Sequence, residues 1–92
     1  MEINRINVKK IEKEGSRMKA IVSLLIDDQI AIHDIRVIEG DQKLFVAFPS
    51  RKTATGEYKD IVHPINPEAR AVFEAKIIEA YNNAEDEVKE EN

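Results

Sequence analysis

Two apolar runs separated by a pair of aspartates constrain this chain more than any other feature. Met18, Ala20, Val22, Leu24 and Ile26 recur at period two, the repeat of a strand whose alternate side chains share one face. Ile21 and Leu25 interrupt the polar side, so both faces are partly covered and the segment reads as a central strand. Asp27-Asp28 ends it, and the short spacing to the β-branched run Ile30 to Ile38 predicts a hairpin. Alternation slips at His33-Asp34, as a β-bulge would make it.

The flanking segments extend the sheet. Ile6 and Val8 alternate with Asn7 and Lys9, a strand with one wet face. Glu14-Gly15-Ser16 and Glu39-Gly40-Asp41 are turn signals. Leu44 to Phe48 is a short apolar strand closed by Pro49, which has no N–H for a ladder. Ser50 to Glu57 reads as a polar loop, and Tyr58 to Val62 as a last strand. Asn66-Pro67-Glu68 then starts a helix: Asn66 can cap, Pro67 suits the first helical position, and Glu68 favours the positive end of the dipole. Ala69, Val72, Phe73, Ile77, Ala80 and Tyr81 fall on one helical face, which should lie on the sheet. Ile78 sits about 140° from the middle of that face at roughly 100° per residue, either exposed or part of a subunit contact.

The chain has 92 residues, enough for one domain. A domain this small buries only roughly 60–65% of the surface its unfolded chain exposes, which disfavours a deep dry cleft and favours self-association. It has no cysteine, which excludes disulfides and thiolate metal sites. The first residues lack a signal-peptide layout, and no apolar run approaches the roughly 20 residues needed to cross a bilayer. A reducing, cytoplasmic setting is therefore expected. The net charge of −4 conceals an uneven distribution. Residues 85–92 carry five acids and one base and read as a flexible acidic tail on a single domain spanning residues 1–84. Arg5 to Lys19 carries six bases and two acids, and Arg51 to Lys59 three bases and one acid.

Acid–base chemistry has two candidates, His33-Asp34 and Asp60 with His63. Neighbours in a strand point to opposite faces, so Asp34 is badly placed to orient His33. Structural roles are expected for both histidines: a hydrogen-bonded strand histidine, and a turn-shaping one before Pro64. No metal-ligand spacing, phosphate-cradling glycine loop or nucleophile elbow occurs. The segment Pro49 to Gly56 is more informative. It sets Arg51 and Lys52 beside hydroxyls on a connection between strands, a composition suited to phosphate oxygens and equally to a solvated loop.

Three stretches, His33-Asp34-Ile35-Arg36-Val37-Ile38-Glu39-Gly40, Leu44-Phe45-Val46-Ala47-Phe48-Pro49-Ser50-Arg51-Lys52 and Gly56-Glu57-Tyr58-Lys59-Asp60-Ile61-Val62-His63-Pro64-Ile65-Asn66, match in order and register. Through them the chain, from about Ile3 to Tyr81, resembles the stage V sporulation protein G family, also called putative septation proteins. The resemblance implies a sheet-plus-helix fold, a homodimer, and site-preferring binding of DNA and RNA in bacterial gene regulation, linked to sporulation and cell division. It implies no enzymatic activity and no cofactor. It carries Arg51 and Lys52 over as nucleic-acid contacts, with Lys59 a neighbour; the composition of the loop adds Ser50 and Thr53 as hydroxyl partners. The chain departs from the family in three places: Phe48 stands where Met is usual, Ala54-Thr55 replaces Pro-Asp, and Ser16 is an extra residue beside Gly15.

The expected fold is therefore α+β, a small mostly antiparallel sheet of about five strands with one C-terminal helix packed on it. The expected function is that of a homodimeric regulator binding DNA and RNA, with no metal, small-molecule substrate or membrane. The competing expectation is a protein-interaction adaptor in cell division, recruiting its partner through a strand edge or Ile78.

Overall fold

The computed structural model describes residues 1–11 and 13–84. The acidic segment 85–92, expected to be flexible, lies outside the described residues. The period-two run forms β2 (Met18–Ile26), between β1 (Ile3–Lys10) and β3 (Ile30–Glu39), with β4 (Leu44–Ala47) next to β3. These make one antiparallel meander in the order β1-β2-β3-β4. Two short strands, β5 (Ser50–Lys52) and β6 (Tyr58–Asp60), pair separately, and α1 (Pro67–Asn83) follows. The architecture is the expected α+β one. The difference in detail is β5, because the sequence reads as a loop there. Every residue of β5 is exposed, so no apolar alternation marks it.

The β2–β3 connection is a three-residue loop, residues 27–29, between the paired Ile26 and Ile30. Asp27 and Asp28 both have φ of 54°, and the Gln29 N–H donates to the Ile26 carbonyl at 2.9 Å, the pattern of a hairpin turn that matches strand twist. The start of the chain secures it. Glu2 N–H donates to Asp27 Oδ1 at 2.8 Å, Asp28 N–H to Asn4 Oδ1 at 2.6 Å, and Asp27 N–H to the Glu2 carbonyl at 2.7 Å. The Asp28 side chain has no hydrogen bond among the described residues, yet its backbone carries the steric cost of a left-handed φ. Asp28→Gly is therefore expected to raise stability by about 0.5 kcal/mol, the strain relieved less the extra freedom of an unfolded glycine. A lower urea midpoint for this variant would show that the turn is not strained.

A bulge interrupts β3 at the predicted place. Val22 pairs with Ile35 and Leu24 with Ile32, so His33 and Asp34 together oppose Ser23. Asp34 has φ of 64°. The bulge keeps Ile32, Ile35 and Val37 on the buried side despite the slip in alternation.

That inner face is the core: Ala20, Val22, Leu24 and Ile26 of β2, Ile32, Ile35 and Val37 of β3, and Val46 of β4, covered by Phe73 and Ile77 of α1. The helix starts as predicted, with Asn66 Oδ1 accepting from Ala69 N–H at 2.7 Å and Pro67 in its first turn. Its roll differs from the expectation. Val72 is half-exposed, whereas Ile78 is half-buried and packed against the core. Ile78 is therefore a core-edge residue rather than a freely exposed one. α1 packs against β1 and β4, and aromatic contacts tie it to both sides. The Phe73 ring meets Phe48 edge-on at 6.1 Å, the Arg70 guanidinium lies 5.6 Å from the Phe48 centroid, and Lys10 Nζ lies 4.9 Å from that of Tyr81. Phe48 thus places its larger ring where an aromatic partner awaits it.

Candidate nucleic-acid interface

The peptide after Phe48 leaves the sheet and turns into a hairpin arm. Ile61 N–H donates to the Pro49 carbonyl at 2.7 Å and closes the base of the arm. Above it Ser50 pairs with Asp60, Arg51 with Lys59 and Lys52 with Tyr58. At the tip, Thr53 N–H donates to the Glu57 carbonyl at 2.7 Å and Gly56 N–H to the Thr53 carbonyl at 3.0 Å. Gly56 has φ of 92°, a conformation that side chains resist. The Thr53 hydroxyl is 3.1 Å from that of Thr55 and accepts from Glu57 N–H at 3.3 Å. Thr53 therefore braces the tip, a role beyond the hydroxyl contact expected for it. Replacing the family's Pro-Asp by Ala54-Thr55 leaves an ordered turn.

All six residues of β5 and β6 are exposed. Strand alternation sets Arg51 and Lys59 on one side of the arm, and Ser50, Lys52, Tyr58 and Asp60 on the other. Directly opposed like charges destabilise a strand pair. Among the described residues no acid forms an ion pair with Arg51, Lys52 or Lys59. An isolated two-stranded ribbon is also marginal in water. The arm thus holds three cations outside any ion pair among the described residues, with Glu57 and Asp60 also on it, on a support that its own chain does little to stabilise.

Where the arm joins the body, apolar side chains remain uncovered. At this root Ile61 is exposed and Ile65 is 85% exposed, while nearer the tip Tyr58, opposite Lys52, is 71% exposed. Beside them a cleft of about 260 Å³ is lined by Met1, Ile26, Ile32, Phe48, Val62 and Phe73. Tyr58 is a surface group that the sequence motifs alone do not single out. An aromatic residue flanked by Glu57 and Lys59 in a polar strand is the signal that points to it.

The histidines are apart from this arm in different ways. His63 lies at its root, with Nδ1 2.9 Å from the Pro64 carbonyl, the turn-shaping role expected. His33 is exposed, and its ring makes no hydrogen bond among the described residues, contrary to the expectation of a bonded strand histidine. The bulge also overrides strict alternation, so that His33 and Asp34 line the same surface depression. Among the described residues no group of three or more His, Asp or Glu is placed to hold a metal ion. No described helix is long and apolar enough to cross a membrane.

The family described as SpoVG matches residues 1–83 of the chain. The chain is 52% identical over 85 residues to a protein of Lachnospira eligens named "Putative septation protein SpoVG", covering 92% of this chain and 96% of that one. Proteins of the same name from Agathobacter rectalis and Clostridium beijerinckii are 53% identical over 81 residues and 52% identical over 84 residues. These alignments cover 88% and 91% of this chain, and 92% and 91% of the respective relatives.

Proposed function

The chain belongs to the SpoVG family, and on that premise we propose that it is a homodimeric, site-preferring DNA- and RNA-binding regulator of bacterial gene expression. The observation that carries this reading is the hairpin arm, which presents Arg51, Lys52 and Lys59 without acidic partners among the described residues. Arg and Lys neutralise phosphates and release condensed counterions, while the Ser50 hydroxyl and the Thr53-braced tip supply hydrogen-bonding groups beside them. A two-fold pairing of chains would double this footprint and add the avidity of linked contacts. The exposed Ile61 and Ile65 and the neighbouring cleft support such pairing, because uncovered apolar clusters of this kind mark contact surfaces. The septation name of the relatives attaches the role to cell division. In this reading the protein works in the cytoplasm as a binding module, with no catalytic step and no cofactor.

Gel-shift titrations with DNA and RNA at several salt concentrations test the proposal, alongside sedimentation at micromolar protein. Binding should weaken steeply as salt rises, and the sedimenting mass should be about twice the 10.5 kDa of one chain. Arg51→Ala with Lys52→Ala should weaken binding to all sequences alike and flatten the salt slope by about 0.9 per duplex phosphate no longer neutralised. Unchanged binding by this variant removes the arm from the interface. The competing reading is an adaptor that uses the same apolar cleft for a division protein. It predicts no nucleic-acid affinity at physiological salt.

A further inference from the structure

We propose that the outer face of the four-stranded sheet is a second nucleic-acid site, one that takes unpaired bases of a single strand. This rests on the nucleic-acid reading above but concerns a surface separate from the hairpin arm. The helix lies on the inner face, and the outer face is left to solvent. The strand register puts Lys9, Ile21, Arg36 and Ala47 in one row across the sheet, since Lys9 pairs with Ile21, Ile21 with Arg36 and Arg36 with Ala47. Arg5 lies on the same side, opposite Leu25. Arg5, Lys9 and Arg36 are exposed, and none has an ion-pair partner among the described residues. Asp34 is, among the described residues, the one acid on the central part of this face. Near the sheet's rim, Glu39 is taken up by Lys19 at 3.3 Å.

In the middle of these cations the surface sinks. Ser23 is small, and the bulge opposite it opens a depression of about 320 Å³, lined by Asn7, Lys9, Ile21, Ser23, His33 and Asp34. That volume is at the lower end of small-ligand sites, the size class of one nucleoside. Asn, Ser and His offer donors and acceptors, and Asp offers acceptors, as a base edge requires. The His33 ring makes no hydrogen bond among the described residues and presents a flat face. Asp34 keeps its left-handed φ of 64° at the rim, the kind of backbone outlier that collects at binding sites. At the β4 edge Phe45 is 45% exposed and pairs with Ile38, a second surface on which a base can stack.

Charge decides between occupants. A protein or second copy with a neutral surface would bury three unpaired cations at a desolvation cost, whereas a polyanion neutralises them. The slot and the stacking groups then select a strand with splayed bases over a duplex, whose bases are stacked inside. An open antiparallel sheet with stacking side chains and flanking cations is a recurring way to hold unpaired RNA. Lys9 and Arg36 would take phosphates on either side of a base seated at Asn7, Ser23 and His33.

Fluorescence anisotropy with three labelled probes tests this: a 12-nucleotide RNA, the DNA of the same sequence, and a 20-base-pair DNA duplex. Two variants are compared with the wild type, both at exposed positions. Lys9→Ala with Arg36→Ala should weaken single-strand binding at least tenfold and lower its salt slope by about 1.4, at 0.7 per phosphate. His33→Ala with Phe45→Ala should weaken it about tenfold with an unchanged slope, since stacking releases no counterions. Duplex binding, carried by the hairpin arm, should change less than twofold in both. Equal loss of RNA and DNA binding assigns the site to single strands in general, and loss of RNA binding alone assigns it to RNA. Single-strand affinity unchanged in both variants overturns the inference, as does parallel loss of duplex binding. A wild type that binds duplex and no single strand overturns this inference and leaves the hairpin reading standing. A wild type that binds none of the probes overturns both. Circular dichroism melts establish that the variants remain folded.

Discussion

Ile77→Ala is expected to lower the unfolding free energy by about 3 kcal/mol, within the range for truncating a buried Ile. The side chain is 0% exposed and lies in the cluster that includes Leu24, Ile35 and Phe73. A 92-residue domain has roughly 5–14 kcal/mol of stability in all, so this one change removes a large share. At about 4–8 °C per kcal/mol the midpoint of thermal unfolding should fall by roughly 12–24 °C. Val72→Ala, five positions earlier on the same helix, should cost less than about 0.5 kcal/mol, because Val72 faces outward. The two variants together measure the roll of α1 on the sheet. Comparable losses for both in urea titrations would mean that the helix presents the Val72 side inward, contrary to the packing described.

Lys59→Glu should move stability and binding in opposite directions. Arg51 stands directly across the arm from Lys59, so the substitution replaces like charges with an opposite pair and should leave the fold unchanged or slightly more stable. Affinity for duplex DNA at low salt should nevertheless fall at least tenfold, because attraction to a phosphate becomes repulsion. The salt slope should drop by about 0.9 for each phosphate the arm no longer neutralises. Lys76→Glu makes the same change in net charge on an exposed part of α1 and serves as the control, with little expected effect. Equal losses in the two variants would attribute binding to overall charge and not to the arm. A Lys59→Glu protein that unfolds more readily would show that the cation is there for the fold.

Much of the architecture is local and for that reason legible in the sequence. The β2–β3 hairpin follows from period-two runs on either side of Asp27-Asp28. The bulge follows from the broken alternation at His33-Asp34, where an extra residue must be absorbed to keep Ile32 and Ile35 on one side. The helix start follows from Asn66 and Pro67, whose effects act within one turn. Gly40 is local too: a Cβ there would lie 2.9 Å from the Lys43 carbonyl and 3.2 Å from the Phe45 ring, so that turn admits little else. Recognition of the family also needs only the order of residues, and with it came Arg51, Lys52 and Lys59 as candidate contacts.

Tertiary structure decided what depends on partners distant in the chain. The roll of α1 is one case. Val72 and Ile78 are equally apolar, and only packing against β1 and β4 turns Ile78 inward. The strand character of Ser50–Lys52 is another, because a ribbon exposed on both sides writes no hydrophobic period, and its existence rests on backbone pairing with Tyr58–Asp60. The same pairing opposes Arg51 to Lys59, eight positions apart in sequence. The outer sheet face is the third case. Arg5, Lys9 and Arg36 belong to strands read separately along the chain, and the register across β1, β2 and β3 makes them one surface. Sequence by itself determined the strands that carry an apolar period and the start of the helix, since backbone sterics and apolar period act over a few residues. Which faces are covered, and which charges end up side by side, only the folded chain decided, because side-chain burial and cross-strand register depend on contacts between residues far apart in sequence.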